Sequence, residues 1–368
     1  MQPHQSSPKV AGKGKLWITG ITGYIGFQTL IIALERGYSV RGVVRKESNI
    51  ARLRSKSDLV ASSEADGTLD FAVIPDLLQK DVLTNTLKDV QTIIHIASPL
   101  ATQADDYEAE IIQPAVNMVM VVLEAASATP SVRRVVITSS CVTLIPFEWN
   151  FAPDSERLYT LLIDLVSTTA DDLNSNPKGP YGSPMEAHWA SKALARIATQ
   201  DFVAQRHPDF DFVNLLPSVV IGPDTRLAAD ARPEELAVEA RGAVLASALN
   251  PSLNSPFPYV GVPVHVHDVA RAHVDAVDES RVPGNAEYIL SSDTPEGVVW
   301  DRDTALVANK YFADAVQSQV LPMEGSLAAI KWRLDASKTE QTFGWNMTSF
   351  EQTMKEMLAQ YLQLARGT

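Results

Sequence analysis

A chain of 368 residues, 45% hydrophobic and 20% charged, can bury a large core, and one nucleotide-binding domain with a smaller elaboration accounts for that length better than two equal domains. A net charge of −13 with no Lys/Arg-rich stripe excludes a phosphate backbone as partner, so no nucleic acid is expected. One cysteine, Cys141, excludes an internal disulfide, and with neither an N-terminal apolar h-region nor an 18-residue apolar span the expectation is no membrane and a reducing, cytoplasmic compartment.

Residues 1–14 are polar and read as a disordered lead-in. From Lys15 a short apolar run, Leu16-Trp17-Ile18, meets glycines at 20, 23 and 26. Ile25, Leu30, Ile31 and Leu34 then recur at helical spacing, which predicts strand, tight turn, helix. Gly20 permits the turn, Gly23 lets backbone approach a pyrophosphate, and Gly26 lets the helix pack on the strand. The anion is expected at the positive helix N-terminus, with Thr22, Tyr24 and Ile25 in the same binding turn. Because βα alternation continues for about 200 residues, the predicted fold is α/β, a doubly wound parallel sheet of the Rossmann type.

A second strand, Tyr38–Val44, ends in Arg45-Lys46 and carries Arg41 within it. An acid here would bind the ribose 2′-hydroxyl of NAD, whereas arginine accommodates the 2′-phosphate of NADP. NADP is the expectation, with a solvated basic strand end as the plain alternative. A third strand, Leu69–Ile74, runs into Pro75-Asp76-Leu77, where Asp76 and Leu77 are placed against the adenine. A fourth, Thr92–Ile96, opens into Ala97-Ser98-Pro99, small enough for a cofactor to lie across; His95 reads as a packed histidine. A helix over Tyr107–Ala128 and a fifth strand, Arg134–Thr138, lead to Ser139-Ser140-Cys141. Cys141 reads as a buried apolar thiol. An insertion, Leu144–Lys178, is expected to wall the pocket or to pack on itself. A sixth strand, Asp211–Leu216, places Pro217 and Val219 beside the nicotinamide; helices are expected over Pro233–Leu249 and Phe350–Leu364.

TGITGYIG at 19–26, VRGVVR at 40–45, PDLL at 75–78, HIASP at 95–99, VRRVVITSS at 132–140 and LPSVVIGP at 216–223 together resemble an extended short-chain dehydrogenase/reductase of the dihydroflavonol reductase group, which includes fungal NADPH-dependent aldehyde and ketone reductases. The resemblance runs from about Lys15 to Leu362. It implies a smaller, discontinuous C-terminal substrate domain: about 224–258 and 280–345, beside a dinucleotide domain of 15–223 plus about 259–279 and a C-terminal helix at 346–368. It also implies that Ser140 polarises a substrate carbonyl. The resemblance to VHVDD-type segments implies no metal at His265, His267, Asp268 and His273, whose spacing alone suggests a cluster.

The chain departs from the family pattern on the catalytic helix. Where Tyr-x-x-x-Lys is expected it has His188-Trp189-Ala190-Ser191-Lys192. Four residues are one helical turn, so both functional side chains share a face about 6 Å apart. The resemblance implies that Lys192 holds the nicotinamide ribose. His188 titrates closer to neutrality than a phenol, but a positive Lys192 disfavours imidazolium and makes His188 a better base than acid. A histidine merely tolerated in a diverged helix is the plain alternative. Tyr181, seven residues upstream beyond Gly182-Ser183-Pro184, is a second candidate proton donor on a loop. The function expected is NADP-dependent reduction of a carbonyl, or oxidation of an alcohol, on a small apolar metabolite, by a monomer or homodimer. A redox-neutral isomerase, dehydratase or cyclase with His188 as base, and a non-catalytic NADP sensor, are the other readings.

Overall fold

The computed structural model describes residues 13–99, 103–144, 147–150, 177–293, 297–330 and 334–367. Its centre is a seven-stranded sheet in which every pairing is parallel: β1 (Lys15–Ile18), β2 (Ser39–Val44), β3 (Leu69–Val73), β4 (Thr92–His95), β5 (Arg134–Thr138), β6 (Asp211–Pro217) and β10 (Ala286–Leu290). The spatial order is β3-β2-β1-β4-β5-β6-β10. The chain winds outward one way through β2 and β3 and then the other way from β4, so the order reverses between β1 and β4. A crevice opens at the carboxyl ends of the strands there.

The pleat decides which residues face which helical layer. Leu16 and Ile18 of β1 join one buried cluster with Leu30 of the helix α1 (Tyr24–Glu35) and Val269 of α4 (Val266–Asp275). Trp17, pointing the other way, joins Val119 and Leu123 of α2 (Gln113–Ser127) and Phe202 of α3 (Pro184–Arg206). Both faces are covered, and the strands read as near-continuous apolar runs for that reason.

The six predicted strands stand within a residue of their expected ends. The seventh, β10, lies in a stretch assigned above to the substrate domain; it pairs with β6 from Ala286↔Val213 to Leu290↔Pro217, so residues 286–290 belong to the main sheet. The predicted helix over Tyr107–Ala128 starts as a wide turn, Glu108–Ile112, and tightens into α2 only at Gln113. Pro114, which lacks an N–H, marks that change. The expectation of no long apolar span needs correcting here. Glu108–Ser127 is long and apolar enough to cross a membrane by composition, and 44% of that window is buried inside the protein, against α3 and the sheet. The predicted helix Pro233–Leu249 is broken into Pro233–Leu236, Glu239–Leu245 and a tight turn at Ala246–Ala248, because the chain is extended at Val238.

A smaller layer is built from β7 (Val219–Ile221) paired with β9 (Pro263–His265) and β8 (Tyr259–Val260) paired with β11 (Ala329–Ile330). Its core gathers Leu236, Val244, Trp300 of α5 (Trp300–Tyr311), and Met354 and Leu358 of α6 (Phe350–Gly367). Most of the insertion expected at Leu144–Lys178 lies outside the described residues.

A buried ion pair ties α3 to the outer strand β10. Arg196, 2% exposed, donates its Nε to both Glu287 carboxylate oxygens at 2.9–3.0 Å, and Asn214 Nδ2 donates to the same carboxylate at 2.7 Å. Removing one partner leaves a buried charge uncompensated. Arg196→Met is expected to destabilise the fold by about 3–5 kcal/mol, and adding Glu287→Leu to recover most of that loss. Urea denaturation of the single and double variants checks it; equal stability of Arg196→Met and the parent overturns it.

Candidate active site

The glycine turn between β1 and α1 takes its shape from missing side chains. Gly20 has φ +75, and a β-carbon on Gly26 would lie 2.1 Å from the Gly20 carbonyl oxygen, so helix meets turn with no room to spare. The first turn of α1 has no acidic residue and its N-cap, Gly23, supplies no side-chain cap. Its amides are therefore an open anion seat. The neighbouring strand end is held by Thr19, whose Oγ1 accepts from the Ile96 and Ala97 amides at 3.0 and 3.1 Å and sits 3.0 Å from His95 Nδ1. With both amides donating to it, the hydroxyl donates to His95. Burial and the charge of Lys192 push His95 down to about 3, so it is a neutral structural residue.

A cleft of about 720 Å³, within the range of small-molecule and cofactor sites, runs along the carboxyl ends of the strands. Gly20, Thr22, Gly23, Tyr24 and Ile25 line it at one end with Arg45 and Leu77; Ala97, Ser98, Pro99, Pro217 and Val219 follow, and Ser140, His188 and Lys192 lie on the same wall. Arg45 is exposed and has no ion-pair partner among the described residues. Three expected residues are elsewhere. Arg41, two pleats back along β2, is bound to Asp70 of β3 at 2.5 Å and to the Thr86 carbonyl at 2.7 Å, so it braces the sheet instead of facing a phosphate. Lys46 is exposed and off the cleft wall. Asp76 spends its carboxylate on the Leu78 amide at 2.9 Å, which closes its own turn and leaves only Leu77 on the wall.

The helix α3 begins where the sequence supplies a cap: Ser183 Oγ accepts from the Glu186 amide at 3.1 Å, Pro184 follows it, and Gly182 N donates to Glu186 Oε2 at 2.7 Å. Tyr181 is thereby left outside the helix. Its hydroxyl lies 3.3 Å from the Pro177 carbonyl and it does not line the cleft, so the geometry gives it no part in proton transfer. One turn and two turns into α3 stand His188 and Lys192. Lys192 Nζ donates to Ser98 Oγ at 2.9 Å, and burial pushes its ammonium down to about 8. Burial, with the Lys192 charge added, pushes His188 down to about 4, and its Nδ1 is buried with no hydrogen-bond partner. Ser140 Oγ accepts from the Val142 amide at 3.3 Å and faces the cleft. Cys141 beside it is buried, with burial raising its thiol to about 11, so it is no nucleophile at neutral pH.

The four residues of the histidine-rich segment are accounted for separately. His265 Nδ1 accepts from the His267 amide at 3.0 Å and its Nε2 lies 3.0 Å from Glu356. Asp268 accepts from the Thr348 amide at 2.5 Å. His273, pushed down to about 4 by burial, donates Nδ1–H to the Val269 carbonyl and accepts from Thr138 Oγ1 at 2.6 Å. The sequence reading missed the far wall of the cleft: Phe147, which meets Trp189 edge-on at 5.5 Å between centroids, and Arg226, Arg241 and Tyr259. Trp189 alone carried a signal, since it sits next to His188.

A switch-point cleft with a glycine turn, a serine after β5 and a lysine on α3 defines a dinucleotide-dependent enzyme of the oxidoreductase class. A model of the NAD dependent epimerase/dehydratase family matches residues 16–289, and the chain belongs to that family. It is 31% identical over 357 residues to the ketoreductase CTB6 of Cercospora nicotianae, with 94% of each covered, and 25% identical over 363 residues to dihydroflavonol 4-reductase of Arabidopsis thaliana, with 97% of this chain and 84% of that one covered. Among solved structures, yeast methylglyoxal/isovaleraldehyde reductase Gre2 complexed with NADPH superposes with a TM-score of 0.74 over 96% of this chain and 100% of that one, at 20% identity, which is a likeness of fold.

The buried histidines set a pH dependence of stability. An unfolded histidine titrates near 6.5, whereas His95, His188 and His273 stay neutral in the fold down to about 3, about 4 and about 4. Below about pH 6.5 the unfolded chain takes up protons that the folded chain refuses, so stability falls with falling pH, by about 1.4 kcal/mol per pH unit per histidine. Melting temperature should therefore drop between pH 6.5 and 4.5, with about three protons taken up on unfolding at pH 5. Calorimetry in buffers of different ionisation enthalpy measures this, and flat stability over the interval overturns it.

Proposed function

We propose that this enzyme uses NADPH to reduce the carbonyl of a small, largely apolar metabolite. The observation that carries the reading is one cleft that joins Arg45, just after β2, to Ser140, His188 and Lys192. The described residues fit the cofactor. The amides of the α1 first turn are uncapped, Gly20 and Gly26 let that turn pack directly on the loop below it, and Arg45 offers a guanidinium where the 2′-phosphate of NADP belongs. The ketoreductase relative and the NADPH-bound neighbour support the same reading. The apolar wall of Phe147, Trp189 and Val260 favours a bulky apolar or aromatic substrate over a sugar.

When bound, NADPH supplies the hydride. Ser140 donates its hydroxyl hydrogen to the carbonyl oxygen and polarises it. Lys192, positioned by Ser98, is an ammonium at neutral pH and holds the ribose hydroxyls. His188 is neutral at the same pH, so it accepts a proton where a tyrosine would give one. The acid of the site is Lys192 and the base is His188. In the reductive direction the nascent alkoxide takes its proton from the Lys192 ammonium, and in the oxidative direction the same path runs backwards and the alcohol's proton returns to Lys192; His188 is left as a base for a reaction without hydride transfer. A redox-neutral reaction with His188 as base is the second reading, favoured by the low pKa and the unpartnered Nδ1 of that residue.

Cofactor choice follows from where the arginines lie. Arg45→Ala is expected to lower the preference for NADPH over NADH by about 10-fold or more, on the scale of one charge-assisted phosphate contact, whereas Arg41→Ala leaves the preference unchanged and lowers stability. Fluorescence titration of both cofactors decides it; a ratio insensitive to Arg45 overturns the 2′-phosphate assignment.

Position 188 separates the two readings. If reduction is the native chemistry, His188→Tyr should raise the NADPH-dependent rate, by about 10²-fold, on the scale of one positioned proton donor. If the native chemistry is redox-neutral, the same change abolishes product formation and leaves NADPH consumption low. Following both across a panel of carbonyl substrates distinguishes them, and a variant that changes neither shows that His188 takes no part.

A further inference from the structure

Beyond the family's glycine turn, a second cationic group faces the same end of the cleft, and it comes from the other side of the molecule. Residues 222–226 leave β7 and cross the glycine turn, and four contacts tie them to that turn, to α1 and to the loop at Lys56. Tyr24 donates its hydroxyl to the Gly222 carbonyl at 2.7 Å, Thr225 Oγ1 donates to Gln28 at 2.9 Å, Arg226 Nη1 donates to the Thr22 carbonyl at 3.2 Å, and Lys56 Nζ donates to the Arg226 carbonyl. Arg226 is fixed further by Asp224, a bidentate pair at 2.6 and 2.8 Å. Asp224 is in turn shared with Arg241 at 2.9 Å, whose guanidinium lies 4.0 Å from the Tyr24 ring centroid. Both arginines line the cleft.

Two guanidinium groups share one carboxylate, so the trio of buried Asp224, buried Arg241 and half-buried Arg226 carries a net positive charge next to a glycine turn that offers uncapped amides to an anion. Glu239, on the same wall, is exposed and solvated and offsets little of it. Arg226 spends one N–H each from Nε, Nη1 and Nη2 on Asp224 and the Thr22 carbonyl, so its guanidinium, rigid and already oriented, keeps a second N–H on each Nη at the phosphate end of the cleft.

We propose that Arg226, held by Asp224 and backed by Arg241, is a ligand of the cofactor's pyrophosphate and latches the 222–245 segment onto the dinucleotide. This rests on the reading of the cleft as an NADPH site. The loop then contributes to cofactor affinity although it belongs to no dinucleotide motif. It also makes cofactor binding a condition for a settled substrate wall, since Val238 and Ala240 of the same segment line the cleft.

The experiment compares NADPH with adenosine 2′-monophosphate, which carries the 2′-phosphate and lacks the pyrophosphate, by isothermal titration against the parent, Arg226→Gln and Arg226→Lys. Arg226→Gln should weaken NADPH by roughly 10- to 100-fold and leave adenosine 2′-monophosphate unchanged, with Arg226→Lys in between. Hydrogen exchange of the 222–245 segment should slow with NADPH in the parent and much less in Arg226→Gln; urea denaturation of the ligand-free variants confirms that they fold. Unchanged NADPH affinity in a folded Arg226→Gln overturns the proposal, including the case in which Arg226 instead meets an anionic group on the substrate. Equal weakening of both ligands also overturns it, because the effect would then be on the fold of the site. A parent protein that binds neither ligand overturns the NADPH reading itself, a result distinct from either.

Discussion

Gly26 has no space for a β-carbon. Built there, that atom would lie 2.1 Å from the Gly20 carbonyl oxygen, and every other property of the site depends on this contact between the first turn of α1 and the loop below it. It sets the helix on the strand, which aims the helix N-terminus along the carboxyl edge of the sheet. It brings Thr19 to the neighbouring strand end, where one hydroxyl orders the Ile96 and Ala97 amides and His95. That in turn places Ser98 within 2.9 Å of Lys192, on a helix more than 90 residues away in the chain.

Replacing a phenol by an imidazole one turn before a lysine changes which group carries the proton. Two cationic groups buried one turn apart on one face of a helix do not both stay charged at neutral pH, and the group with the higher intrinsic pKa keeps its proton. Lysine starts near 10.4 and histidine near 6.5. Burial lowers both, to about 8 and about 4, and the order survives. A tyrosine in the same place would have kept its proton beside the lysine and been able to give it. His188 is neutral, and its free Nδ1 is a proton acceptor or a neutral hydrogen-bond donor according to tautomer.

The parallel strands were legible because burial on both faces turns each into a short apolar run, and the glycine turn was legible because three glycines replace three forbidden β-carbons. Ser140, His188 and Lys192 were singled out by the resemblance to the reductase family, whose motifs are short-range, and all three line the cleft. Arg41 and Arg45 look alike in sequence; only the register Arg41↔Asp70 shows that the first is consumed by the sheet. Asp76 was misplaced because a carboxylate two residues before an amide satisfies its own turn first. β10 carries no signal of its sheet, because its partner β6 lies more than 70 residues earlier. Arg226 was invisible for the same reason at greater length: its contact with Thr22 spans 204 positions.

The phenols near the cleft explain why the proton falls to α3. Tyr24 is the nearest to the glycine turn, but its hydroxyl is given to the Gly222 carbonyl and burial holds it well above its ordinary value, so it is committed to the latch between the two halves. Tyr181 is excluded by the cap at Ser183, which starts the helix after it. Tyr259 lines the cleft, and burial together with Glu239 raises its pKa, which makes it a weaker acid than a free phenol. Each phenol is therefore either bound elsewhere or poorer at releasing a proton than Lys192, whose ammonium is the most acidic protonated side chain on this wall at neutral pH. The Ser98 contact fixes that ammonium on the cleft wall, and under the proposed reading it is Lys192 that holds the proton a tyrosine at position 188 would otherwise carry.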